Sequence, residues 1–251
     1  MPTPIMHLVL AEEILHGDDL PPATARLLTR QRGPFLLGNT APDVQTISGQ
    51  RRDETHFYTI PRTTDRPACQ TFFDTYPQLT HAGLLPPAQV AFIAGYVAHL
   101  LLDELWLVDV FQRHFLRDWG PLHERLFLHN VLRTWMDARD QRQLNSSMDT
   151  ALRKAEPRRW LPFVADEHLR AWRDCLVEQL VPGHTVQTAQ VFARRMGVSV
   201  AEMEAVLMSP HQMEQRVFCR IPRTALQSFH DIGYARSVAS ITRYIAKLVD
   251  W

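Results

Sequence analysis

The sequence predicts an all-α protein on three observations. Apolar residues recur at the three-and-four spacing of a helix along nearly all of the 251-residue chain. Alternating strand-like runs bounded by tight turn dipeptides are missing. Prolines and glycines fall where they open and close helices, as at Pro21-Pro22, Pro86-Pro87 and Trp119-Gly120-Pro121.

Taken in order, residues 4–16 suit a first helix ended by Gly17, and Pro21-Pro22 opens a second that ends near Gly33. Residues 34–66, rich in Pro, Gly, Asn, Asp and Thr, read as a long loop. Phe35-Leu36-Leu37 makes that loop ordered, and its length makes it functional, because structureless stretches of this size are uncommon in compact domains. A helix near 67–79 follows, then one long helix over 87–117, then a helix from Pro121 to about Arg142. Past the polar linker Gln141–Ser147, helices are expected near 148–156, 164–181, 185–196, 199–208 and 223–249. No internal repeat or low-complexity segment occurs. The expectation is a single helical domain over 1–251, in which 1–140 carries the site and 141–251 adds helices packed onto it.

Composition narrows the class. An apolar share of 45% is ample for a core. Lys+Arg and Asp+Glu balance at 27 each, which argues against a cationic surface for nucleic acid or anionic lipid, and Arg51-Arg52 and the Arg153-Lys154 to Arg158-Arg159 cluster read as solvated faces. Cys69, Cys175 and Cys219 are scattered and odd in number, so neither a disulfide framework nor a thiolate metal site is indicated and a cytoplasmic setting is expected. The first residues lack the basic start and long apolar run of a secretory signal. His99, Asp103, Glu104 and Asp109 interrupt the apolar part of the long helix, so no transmembrane span is expected.

The most informative residues are His99-Leu-Leu-Leu-Asp103 in that helix. An imidazole and a carboxylate four residues apart point the same way. Burying them among Phe92, Ile93, Tyr96, Leu100 and Trp106 is costly unless each has a partner, and a divalent metal suits both. Three other residues read either way. His7 shares a face with Leu10, Ala11 and Ile14 and is a core histidine or a ligand; Asp43 after Pro42 is a turn residue or a ligand; His56 is a loop histidine or a ligand. Phe57 and Tyr58 stand where they could line a pocket. His230-Asp231 has no suitably placed partner His upstream, and no Gly-rich phosphate loop, nucleophile elbow or dinucleotide fingerprint occurs.

The order His7, then Gly38-x-x-Ala41-Pro42-Asp43, then Thr55-His56-Phe57, then Gly95-Tyr-Val-Ala-His99-x-x-x-Asp103 resembles the zinc-dependent phospholipase C family, which is related to the S1/P1-type nucleases. The resemblance covers roughly the first 125 residues. It implies a multi-helix bundle like that of phospholipase C and P1 nuclease, with a buried metal cleft for up to three Zn²⁺ ions. It implies that Asp43, His56, His99 and Asp103 bind one zinc, and that Asp103 bridges to a second held also by His7. In the family that second zinc takes the amino group and carbonyl of the first residue, whereas here six residues precede His7. The family's third zinc takes two histidines and a glutamate, at positions that fall without gaps on Asp109, His123 and Phe127. Asp109 and His123 are therefore candidate ligands, Phe127 cannot ligate, and Glu124 or His129 is the substitute to consider. Asp43 takes the role of catalytic base as well as ligand. The implied activity is hydrolysis of a phosphate ester, a small phosphoester or a phospholipid, by water activated at clustered zinc. The alternative is a metal-stabilised helical binding protein whose zinc site is degenerate and inactive.

Overall fold

The computed structural model describes residues 1–141, 144, 147–180 and 188–246, and every regular element among them is a helix. Helix α1 (Pro4–His16) starts on Thr3, whose side chain accepts from the Met6 amide, and buries Ile5, Leu8, Ala11 and Ile14. Helix α2 (Pro22–Arg30) stops short of Gly33.

The stretch from 34 was expected to be a loop and is helical in pieces as far as residue 56. Helix α3 (Arg32–Gly38) is followed by a 3₁₀ turn (Ala41–Val44), α4 (Gln45–Ser48) and α5 (Arg52–His56). None exceeds seven residues, and α3 is buried on all sides from Gly33 to Gly38. Segments so short show no polar face, hence no period to read. Helix α6 (Ala68–Thr75) ends earlier than expected. Pro77 pushes Tyr76 out of the helical region, to φ −128° and ψ 68°, and Pro77–Leu79 forms a separate 3₁₀ turn.

Helix α7 (Pro87–Leu105) continues without a break as wider π turns over Trp106–Phe115. Its length and composition would let it cross a membrane, yet 89% of its most apolar window is buried inside the protein, as befits a core helix. Around it lie α8 (Leu122–Asp140), α9 (Met148–Arg153), α10 (Asp166–Leu180), α11 (Thr188–Met196), α12 (Val200–Leu207) and α14 (Arg223–Ile245). A one-turn helix α13 (Pro210–Gln212) leads into π turns over Met213–Phe218, an element the sequence did not suggest. Parts of the expected 141–147 linker, the start of the 185–196 helix and the end of the 223–249 helix lie outside the described residues.

Two contacts position the site. Helices α3 and α7 touch backbone to backbone: a Cβ on Gly38 would sit 2.0 Å from the Phe92 carbonyl oxygen, and one on Gly95 would sit 2.4 Å from the Phe35 carbonyl oxygen. Only glycine permits that approach. From the other side, α10 braces the 3₁₀ turn, with the Trp172 indole donating to the Thr40 carbonyl at 2.9 Å. Helix α14 packs along α7 and ties to the chain before it, where the Tyr244 hydroxyl donates to the Leu79 carbonyl at 3.1 Å. Each large side chain sealed in this interior, Phe92 or Leu100 among them, contributes roughly 1.5–3 kcal/mol of burial.

Candidate metal centre

Helix α1, the 3₁₀ turn, α5 and α7 bring His7, Asp43, His56, His99 and Asp103 together. His56 is the last residue of α5. Phe57 ends the helix in a left-handed conformation at φ 61°, held there by packing against Phe72 and Phe163. The Tyr96 hydroxyl of α7 donates to the Thr55 carbonyl at 2.5 Å and fixes α5 over the long helix.

The His56 and His99 Nε2 atoms face each other at 3.4 Å. His56 Nε2 is also 3.6 Å from Asp43 Oδ1 and 3.4 Å from Asp103 Oδ2, while His99 Nε2 is 3.8 Å from Asp103 Oδ2. The other oxygen of Asp103 faces His7 Nε2 at 3.4 Å, and the His7 and His99 rings stack at 3.8 Å. Asp103 thus turns one oxygen to each half of the cluster. Ligands about 2.0–2.1 Å from a tetrahedral zinc stand about 3.3–3.4 Å from one another, close to the spacings found here.

The outer ring nitrogens are already committed. His99 Nδ1 lies 2.8 Å from the Asn39 carbonyl, and His56 Nδ1 lies 3.0 Å from Thr55 Oγ1 and 3.3 Å from the Arg52 carbonyl. A carbonyl only accepts, so the proton belongs on Nδ1 and Nε2 is left as a lone pair pointing inward. His7 Nε2 and Asp103 Oδ1 are buried with no hydrogen-bond partner among the described residues. The Nε2 lone pairs of His56 and His99 facing carboxylate oxygens in a dry interior suit a cation, and imidazole with carboxylate is a donor set that zinc takes.

No protein-family model, curated protein or solved structure matches the chain. The chemistry therefore has to come from the geometry.

Arg52 is the partner that sequence reasoning missed. It belongs to a pair read as a solvated face, yet its Nη2 donates to Asp103 Oδ2 at 2.5 Å and to the Tyr58 hydroxyl at 2.8 Å. The hydroxyl in turn lies 3.3 Å from the same Asp103 oxygen. Phe57, in contrast, belongs to an aromatic cluster with Phe72, Tyr76 and Phe163. Burial alone would raise the Asp103 carboxyl, but His99, His7 and Arg52 hold it well below its ordinary value. The same contest leaves Asp43 at about 2, burial raising it while the hydrogen bond to His56 and the charge of His99 lower it further. Burial and the nearby His7 push His99 down to about 3, so its ring is neutral at physiological pH. The Met1 amino group is buried in the same field, and burial with Arg133 pushes it well below its ordinary value.

Asp109 and His123 do not join the cluster. Asp109 is half-buried in the π turns, and His123 is exposed at the start of α8. Of the two substitutes, Glu124 pairs with Arg216 at 2.7 Å and His129 accepts from the Trp106 indole at 2.9 Å. Both are engaged in holding the fold. Beside Asp43 opens a cavity of about 400 Å³, lined among others by Arg52, Arg133, Trp172, Phe192 and Arg195.

Proposed function

We propose that the protein is a metal-dependent hydrolase of phosphate esters, with zinc held by Asp43, His56, His99 and Asp103 and a second ion shared by Asp103 and His7. The resemblance to the phospholipase C and P1 nuclease bundle is part of the same proposal. One observation carries it: the buried Nε2 lone pairs of His56 and His99 meet at 3.4 Å while their Nδ1 atoms are spent on oxygen partners.

When bound, the metal supplies Lewis acidity towards phosphoryl oxygens and lowers the pKa of a water. Asp43 is the one member of the five with substantial exposure, at 20%, and it lines the cavity where a substrate has room. It receives the proton of the attacking water on a carboxylate oxygen. Arg52 and Tyr58 fix Asp103, and the Asn39 carbonyl fixes the His99 ring.

The dispersal of Asp109 and His123 favours a second reading, a helical binding protein in which the metal only staples the 3₁₀ turn and α5 to α7. Elemental analysis and turnover of bis-nitrophenyl phosphate, nitrophenyl phosphate and short-chain phosphatidylcholine separate the two. The hydrolase reading expects about one or more equivalents of zinc and chelator-sensitive turnover of at least one substrate. Zinc without turnover selects the binding protein, and absence of metal that added zinc does not remedy rejects both.

A further inference from the structure

We propose that Arg133 and Arg195 form an anion anchor on the wall of the cavity, and that it holds a phosphate group of a small organophosphate beside Asp43. This rests on the hydrolase reading for what adjoins the anion, though the anion site itself is built by α8 and α11.

Three cations, Arg52, Arg133 and Arg195, line one cavity with a single carboxylate, Asp43. Arg52 is spent on Asp103 and Asp43 on His56. The acid nearest Arg133 along α8 is Asp137, one turn on. It is taken by the hydroxyls of Thr3 and of Thr188, the latter at 2.6 Å. Neither Arg133 nor Arg195 forms an ion pair with a carboxylate among the described residues. Arg133 is held all the same. Its Nη1 donates to Asn130 Oδ1 at 3.1 Å, and its guanidinium lies 4.2 Å from the centroid of the Phe192 ring. Its Nε is buried and has no hydrogen-bond partner among the described residues.

A guanidinium held in place, short of an acceptor and crowded by a second one is a poor way to stabilise a fold. Burial brings Arg133 down to about 10 against the charges of Asp137, Asp43 and Asp103, which raise it, and Arg195 adds a smaller push in the same direction as burial. It is a good way to present a planar fork of donors to a tetrahedral oxyanion. The other walls agree. Trp172 and Phe192 give the cavity an apolar side, and Gln45 and Thr46 give it a polar one. An enclosure of about 400 Å³ suits a compact phosphorylated molecule. Nothing local in the sequence could link the two arginines, one on α8 and one on α11.

Inorganic phosphate is the probe, titrated calorimetrically into chelator-treated and zinc-loaded protein at constant ionic strength with chloride as the control anion. The anchor expects phosphate to bind even without metal. Arg195→Gln and Arg133→Gln should each weaken it by about tenfold or more, with Arg133→Lys between them and the wild type and zinc content unchanged. Arg195 is exposed, so its variant keeps the test readable if Arg133→Gln does not fold. No phosphate binding to metal-free protein, or equal binding by wild type, Arg195→Gln and Arg133→Lys, overturns the anchor. Arginine-dependent phosphate binding in a protein that takes no zinc supports the anchor while rejecting the hydrolase. Zinc-dependent turnover without arginine-dependent phosphate binding does the reverse.

Discussion

Gly95→Ala should damage the metal centre from outside it. The new methyl group would lie 2.4 Å from the Phe35 carbonyl oxygen and 2.7 Å from the Asn39 amide nitrogen, where ordinary contact begins near 3.4 Å. Both neighbours are backbone, so no side chain can swing away, and α3 has to back off from α7 by about 1 Å. The Asn39 carbonyl moves with α3. Its 2.8 Å contact with His99 Nδ1 would open to about 3.8 Å, beyond a hydrogen bond, and the ring would lose the partner that aims Nε2. Overpacking of this kind costs about 1–3 kcal/mol, and losing an outer partner of a metal-bound histidine costs about 10–100-fold in affinity. Thermal melts of metal-free protein read the first quantity, and zinc competition against a chromophoric chelator reads the second. A variant that melts like the wild type and binds zinc within about threefold of it would refute the claim that the α3–α7 contact sets the His99 ring.

On the hydrolase proposal, Asp43→Asn should leave the fold intact and lower phosphoester turnover by at least about a hundredfold in the zinc-loaded protein; unchanged kcat removes Asp43 from proton transfer. His129→Leu should cost about 1–3 kcal/mol by stranding the Trp106 indole N–H, with zinc content unaltered, and a loss of zinc in that variant would show His129 to be a ligand after all. Asp137 gives a pH signature. Burial lifts it from 3.8 to about 6, so between those values the folded protein holds a proton that the unfolded chain releases. Its contribution is complete below 3.8 and is lost as pH rises through 6, a swing of about 3 kcal/mol. Denaturant melts of metal-free Asp137→Asn at pH 4 and pH 7 should lack that swing, and the same pH slope in variant and wild type would refute the assignment.

Long helices with clear punctuation were legible. Thr3-Pro4 opens α1, Pro86-Pro87 opens α7, and α7 is apolar enough to be read as the core. Within it, His99 and Asp103 announce themselves because two ionisable groups on a buried helix need a common partner. The rest of the site is assembled by contacts that leave no local trace. Helix α3 is buried all round and α5 has only five residues, so neither displays a period. That in turn concealed Arg52. It shares a face with His56 only once 52–56 is known to be helical, and its neighbour Arg51 does behave as an exposed residue, paired with Asp53. Asp109 and His123 stand apart from the cluster although their spacing fits a pattern. Asp109 falls where α7 widens into π turns after Leu105, and His123 stands on a separate helix, α8, beyond Gly120-Pro121.

The hold of Arg52 on Asp103 bears on folding as well as on metal. A buried aspartate among imidazoles needs a positive charge before the interior can close around it, and the guanidinium provides one from within the chain. Small zinc modules gain their shape only with their ion, whereas here an arginine of the chain itself already balances the buried carboxylate. On the proposed reading, an arriving ion would compete with this arginine for one carboxylate oxygen, so metal uptake would have to displace an ion pair that the folded protein already holds.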